Sequence, residues 1–190
     1  MQLRHLILAA AAAVAATPAL AHTGVHSISG FGAGFLHPFG GFDHMLAMLG
    51  VGLFAALLGG RALVVVPASF MFMMMMGGII GVAGINIPAV EVLIAASVIA
   101  IGAVVALGWS WPLSAAAMLV GFFALFHGYA HGIEIPSGIT ALPYGVGFSL
   151  ASAALHSLGI GLSRITRRHE KVNQSLGAAI TVAGVVLVFG

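Results

Sequence analysis

ALVVVPASFMFMMMMGGIIGV, residues 62–82, is a run of 21 residues without one charged side chain. As a helix rising about 1.5 Å per residue it would cover roughly 30 Å, the thickness of a bilayer's hydrocarbon core. The whole 190-residue chain is built in the same way: 61% of it is hydrophobic and 5% is charged, with a mean hydropathy of +1.18. Such a chain lacks the polar residues to cover a water-facing surface, so it reads as an integral membrane protein. Cysteine is absent, which excludes disulfides, thiolate metal sites and cysteine nucleophiles. The pI near 9.7 invites a nucleic-acid reading. It rests on six basic residues, four of them between Arg164 and Lys171, and that cluster reads instead as a signal of membrane topology.

At the N-terminus, Arg4 and His5 precede the apolar run from Leu6 to Ala16 and then Thr17-Pro18-Ala19-Leu20-Ala21. This follows the plan of a cleavable signal peptide over residues 1–21, with His22 as the mature N-terminus of a single membrane domain over 22–190. A Gly-rich lead from Thr23 to Leu36 follows. Apolar stretches of spanning length then run Pro38 to Leu58, Ala62 to Val82, Ala89 to Leu107, Pro112 to Gly132, Thr140 to Leu162 and Ser175 to Phe189, separated by turn residues. The expected fold is all-α, a compact bundle of six transmembrane helices. An exported N-terminus would put every Lys and Arg of the mature chain on the cytoplasmic side, in agreement with the positive-inside rule, which was not used to number the helices. Gly77-x-x-x-Gly81 and Gly128-x-x-x-Gly132 are spacings that let helix backbones approach closely.

Two polar clusters interrupt these stretches: His37-Pro-Phe-Gly-Gly-Phe-Asp43-His44 and Phe126-His127-Gly-Tyr-Ala-His131-Gly-Ile-Glu134. Alternation of the spans brings both to the extracytoplasmic face at similar depth. On regular helices His37 and His44 lie about 20° apart, and His127 and His131 about 40°, so each pair shares a side and two facing helices would gather four imidazoles. Asp43 points about 120° from His37 on a regular helix, which suits orienting an imidazole; distortion at Gly40-Gly41 would make it a direct ligand, and the sequence leaves both open. A carboxylate within a span is costly and marks function by default. Glu91 and Glu134 lie at outer helix ends near the same place. A structural network of His and Asp is the bland alternative.

The paired motifs H-x5-D-H and F-H-G-x-A-H-G-x-E resemble the signature of the HupE/UreJ family of nickel permeases, and the match extends over the mature chain. The resemblance implies metal-handling roles for His37, Asp43, His44, His131 and Glu134, with Glu91 and Phe70 matched less securely; Tyr129 departs from the small residue expected there. It implies secondary uptake of Ni²⁺, with Co²⁺ as the alternative cargo, across the bacterial inner membrane to supply hydrogenase or urease. Imidazole and carboxylate by themselves also suit Zn²⁺ and Cu²⁺, and raw affinity would favour copper. The mature N-terminus would be periplasmic. No enzyme activity, permanently bound cofactor or nucleic-acid partner is expected, and a homo-oligomer is left open. The single lysine, Lys171, follows Glu170, so no phosphate-binding G-x-x-x-x-G-K-[ST] loop exists.

The rival class is an intramembrane zinc hydrolase with three histidines on the metal and a carboxylate activating water, although no H-E-x-x-H occurs. Met71, Met74 and Met75 share a helix face and would line a path or simply pack. His156 reads equally as an inner relay or a packed core residue. His169 reads as a solvated loop residue, and His22 and His26 as exposed.

Overall fold

The computed structural model describes residues 29–166 and 170–189; the expected signal peptide, His22, His26 and His169 lie outside them. Among the described residues there are seven α-helices and no strand: α1 (Gly30–Leu36), α2 (Phe42–Leu58), α3 (Ala62–Val82), α4 (Val90–Leu107), α5 (Leu113–Ile133), α6 (Ala141–Ile165) and α7 (Glu170–Phe189), with a 3₁₀ turn at His37–Phe39. Five are long and apolar enough to cross a membrane, and a sixth crossing is counted if α1, the 3₁₀ turn and α2 form one broken span. The outer surface is apolar, with Val64, Ile79, Met118, Phe122 and Leu142 all exposed. This is the surface of a multi-pass membrane protein, whose solvent is lipid.

The first span departs from expectation. A regular helix from Pro38 to Leu58 was anticipated; instead Gly30–Phe39 and Phe42–Leu58 meet at 79°. The break falls at Gly40 and Gly41, where the backbone of Gly41 is extended, so that the helical hydrogen-bond ladder stops and restarts. The Gly-rich lead is also helical from Gly30. Ser29 caps it by accepting a hydrogen bond from the Gly32 N–H at 3.2 Å. Its glycines serve packing: a Cβ on Gly34 would strike the Tyr144 carbonyl, and one on Gly147 the Phe31 carbonyl. Tertiary contact here overrides the poor helix propensity of glycine.

The same device sets the directions of the long helices. Gly77 abuts Leu125, Gly128 abuts Met74 and Gly132 abuts Gly78, so the two G-x-x-x-G spacings face each other and α3 runs parallel to α5. Gly34 against Tyr144 and Gly147 against Phe31 at one end, and Gly52 against Gly159 further along, run the first span parallel to α6. Gly102 against Thr181 and Gly184 against Ile99 make α4 and α7 antiparallel. Together these put the Asp43, Glu91 and Glu134 carboxylates at one end of the bundle and Arg61, Arg164 and Lys171 at the other. Between the ends, Met48, Val51, Phe54, Val66, Phe70, Val98, Ile101 and Val120 form a fully buried apolar core.

Tyr129 also has a structural task. Its ring is buried with Val90, Ile94, Phe126 and Ala130, and its hydroxyl accepts a hydrogen bond from the Ile87 N–H at 3.2 Å. It therefore ties the turn before α4 to α5.

Gly128→Ala places a methyl against the Met74 backbone, which cannot move aside as a flexible side chain would. The expected loss is about 1–3 kcal/mol. Gly161→Ala, on a helix face where nothing lies within 4 Å, is the control. Thermal unfolding of the purified protein in detergent should show a lower midpoint for the first variant and an equal or slightly higher one for the second, which only gains helix propensity.

Candidate functional site

His131, in the last turn of α5, is the hub of the polar end. Its ring centroid lies 4.7 Å from that of His37 and 4.3 Å from that of His44. The His44 ring in turn stands 4.7 Å from that of His127, one turn deeper on α5. The four imidazoles singled out in the sequence therefore meet, by a route different from the expected one. His37 is on the 3₁₀ turn and His44 in the first turn of α2, so the two are not neighbours on one regular helix. The bend at Gly40-Gly41 carries both rings to His131.

Two layers can be distinguished. At the mouth, the His37 Nε2–H donates to Glu134 Oε2 at 3.1 Å, and His131 Nδ1 lies 4.0 Å from the same oxygen. Ligand atoms of His37, His131 and Glu134 all lie within 4.8 Å of one another. Opposite ligands on a first-row divalent ion at about 2.1 Å stand roughly 4 Å apart, so small side-chain movements would suffice to close this set on an ion. Below it, the His44 and His127 rings, both buried, continue the polar line into the bundle.

Hydrogen bonds fix which nitrogen of each deeper ring is free. Asp43 Oδ1 accepts from the His44 backbone N–H at 2.7 Å and from His44 Nδ1–H at 2.8 Å. The lone pair of His44 is thereby left on Nε2, a buried atom with no partner. The break at Gly40-Gly41, which might have made Asp43 a direct ligand, aims its carboxylate at the adjacent imidazole. On α4, the Ser97 hydroxyl donates to the Ile94 carbonyl at 2.6 Å, and its single proton is then spent. It must accept from His127 Nε2–H at 2.7 Å, which leaves the His127 lone pair on Nδ1, also buried and without a partner. Both nitrogens of His131 are likewise unpartnered. Buried polar atoms without partners cost stability. Several of them converge on one place, where together they could hold a cation.

Glu91 does not join this group. It is exposed in the first turn of α4, at the same end of the bundle, and no hydrogen bond or ion pair ties it to the histidines. Phe70 does join it: fully buried on α3, its ring centroid lies 5.7 Å from that of His127. Met71, Met74 and Met75 line a cavity of about 740 Å³ between α3, α5 and α6, together with His131, Tyr144 and Phe148. The walls are almost wholly apolar, so this space suits hydrocarbon better than a hydrated ion.

Sequence reasoning missed Ser97, Tyr144 and Phe148. Tyr144 and Phe148 pack edge-on against the His37 ring, and Phe148 also lies 3.9 Å from the ring of His131. Ser97 had a signal: beyond Glu91 in the first turn it is the one polar side chain of α4, at a level that faces α5. The two aromatics had none, since an aromatic in an apolar helix looks like packing.

Residues 9–187 match the HupE / UreJ protein family. The chain belongs to the HupE/UreJ family. It is similar to Protein HupE of Rhizobium leguminosarum bv. viciae, with 44% identity over 172 residues that cover 90% of each chain. No solved structure matches.

The tautomers assigned above can be read directly. In histidine-labelled protein, ¹⁵N spectra should show His127 protonated at Nε2 and His44 at Nδ1. Ser97→Ala should disperse the first signal between tautomers, and Asp43→Ala the second, each leaving the other unchanged.

Proposed function

We propose that this HupE/UreJ family member carries a divalent transition-metal ion, Ni²⁺ before Co²⁺, across the bacterial inner membrane by a secondary mechanism, through a bundle of six spans. The observation that carries this reading is the convergence of His37, His44, His127 and His131 with Glu134 and Asp43 at one end of a membrane bundle. The donor set is all imidazole and carboxylate, which first-row divalent ions of borderline softness prefer. The family supplies nickel, which the donors alone do not select. The family resemblance makes a hydrogenase or a urease the metalloenzyme served.

In this reading the carboxylate-bearing end faces the periplasm and the basic end the cytoplasm, as the positive-inside rule requires. Glu134, exposed beside His37, attracts the hydrated cation, and Glu91 adds negative potential at the same end. The ion exchanges water for His37, His131 and Glu134. It then passes to the buried lone pairs of His44 Nε2 and His127 Nδ1, which Asp43 and Ser97 hold ready. Such pre-orientation lowers the cost of ordering the ligands, and loss of an orienting partner typically weakens metal binding about 10–100-fold. The sites must remain weak enough to release the ion.

No internal energy source is required. A potential negative inside is worth about 2.3 kcal/mol per charge per 100 mV, so a divalent ion gains about 4.6 kcal/mol on entry, enough for accumulation on the order of a thousandfold. The hydrolase alternative gains nothing from the geometry. The two carboxylates at the cluster are engaged in orienting imidazoles, with Asp43 on His44 and Glu134 on His37, and Glu91 stands apart from the histidines, exposed at the start of α4.

Uptake of radioactive nickel into proteoliposomes decides the matter. His44→Ala and His131→Ala should each lower the initial rate at least about tenfold, with the protein still folded by size-exclusion chromatography. Uptake equal to that of the unaltered protein would remove the assigned role.

A further inference from the structure

Below the histidine cluster lies one more imidazole that neither the family match nor the proposed mouth uses. His156, on α6, is 2% exposed, and neither of its ring nitrogens has a partner. Its ring meets the face of Phe70 edge-on at 5.1 Å, while the same Phe70 ring lies 5.7 Å from that of His127. Phe70 therefore stands between the cluster and His156.

The position is part of a ladder. Tyr144, Phe148, Ser152 and His156 recur every fourth residue on one face of α6; the first two meet the histidine cluster, and the last two meet α3 below it. Tyr144 touches the His37 ring, Phe148 the rings of His37 and His131, Ser152 Oγ lies 4.0 Å from Met74 Sδ, and His156 meets Phe70. Phe148 to His156 is eight residues, so His156 lies about 12 Å further into the bundle than the Phe148–His131 contact. The ring it packs against is apolar and fully buried, that of Phe70. A leucine would fill such a place without leaving two nitrogens unsatisfied, so packing alone does not account for an imidazole here.

We propose that His156 is a second coordination site for the transported divalent cation, separated from the His37–His44–His127–His131 cluster by the ring of Phe70. The inference rests on the uptake reading. An ion leaving His127 is received by a borderline nitrogen donor once the Phe70 side chain turns aside. The hydroxyl of Ser152 and the thioether of Met74, one helical turn nearer the cluster, are the polar atoms it passes on the way. Phe70 thus keeps the two sites from being continuous, and His156 offers the ion a ligand within the apolar interior.

Two measurements test this. His156→Leu in proteoliposomes should lower the initial rate of Ni²⁺ uptake about tenfold while leaving the affinity for Ni²⁺ of the purified protein unchanged, because the outer cluster is intact. A packing role predicts uptake like that of the unaltered protein, and that result overturns the proposal. The second measurement uses the absence of cysteine from the chain. His156→Cys introduces a unique thiol, and Co²⁺ added to the purified variant should produce a near-ultraviolet thiolate-to-metal charge-transfer band that the unaltered protein lacks. No band in a folded variant overturns the second site. If His156→Leu does not fold, the Co²⁺ spectrum decides alone. Failure of the unaltered protein to take up Ni²⁺ would count against the uptake reading, whereas the charge-transfer band reports on this site in either case.

Discussion

The polar end of the bundle depends on a bend of 79° between two short reaches of helix. An unbroken helix would hold His37 and His44 about two turns apart on one side, and a single imidazole on another helix could not meet both rings. With the ladder interrupted at Gly40-Gly41, His37 and His44 reach His131 through centroid distances of 4.7 and 4.3 Å. The same interruption turns Asp43 onto His44 Nδ1. One local break thus sets the position of two rings and the tautomer of one.

Around this centre the helices are held by glycine. In lipid there is no hydrophobic force to press apolar helices together, so close van der Waals contact must do it. α3 with α5, α2 with α6 and α4 with α7 each meet through glycines whose Cβ would strike the partner's backbone. By contrast α2 and α5, which carry most of the imidazoles, meet chiefly through their long side chains. The scaffold is tight where it has only to hold, and the polar groups face one another across looser contacts.

Much of this was legible in the sequence. The apolar lengths located the long helices to within a few residues, because a span must cover a fixed thickness. The two histidine motifs located the polar end, because alternation of spans leaves few places for them. What escaped was set by tertiary contact. The helix at Gly30–Leu36 reads as a loop until Tyr144 and Phe31 are seen pressed on its glycines and on Gly147. The angular argument for His37 and His44 assumed regularity across Gly40-Gly41, two residues that signalled the break. Glu91 was grouped with the histidines from its depth and from a less secure match to the family motif, and depth does not fix direction around the bundle. Ser97 was overlooked because a hydroxyl in a helix normally bonds its own backbone; here it does so, toward Ile94, and serves His127 with its other lone pair.

That hydroxyl has a mechanical consequence. α4 is packed backbone to backbone with α7 through Gly102 and Gly177, so the two helices shift together if they shift at all. Their polar tie to the imidazoles is the 2.7 Å contact between Ser97 Oγ and His127 Nε2. Any tilting of the α4–α7 pair that stretches this contact frees His127 to rotate and swing its lone pair off the axis. A rigid-body movement at the periphery would in this way be converted into a change of grip at the centre.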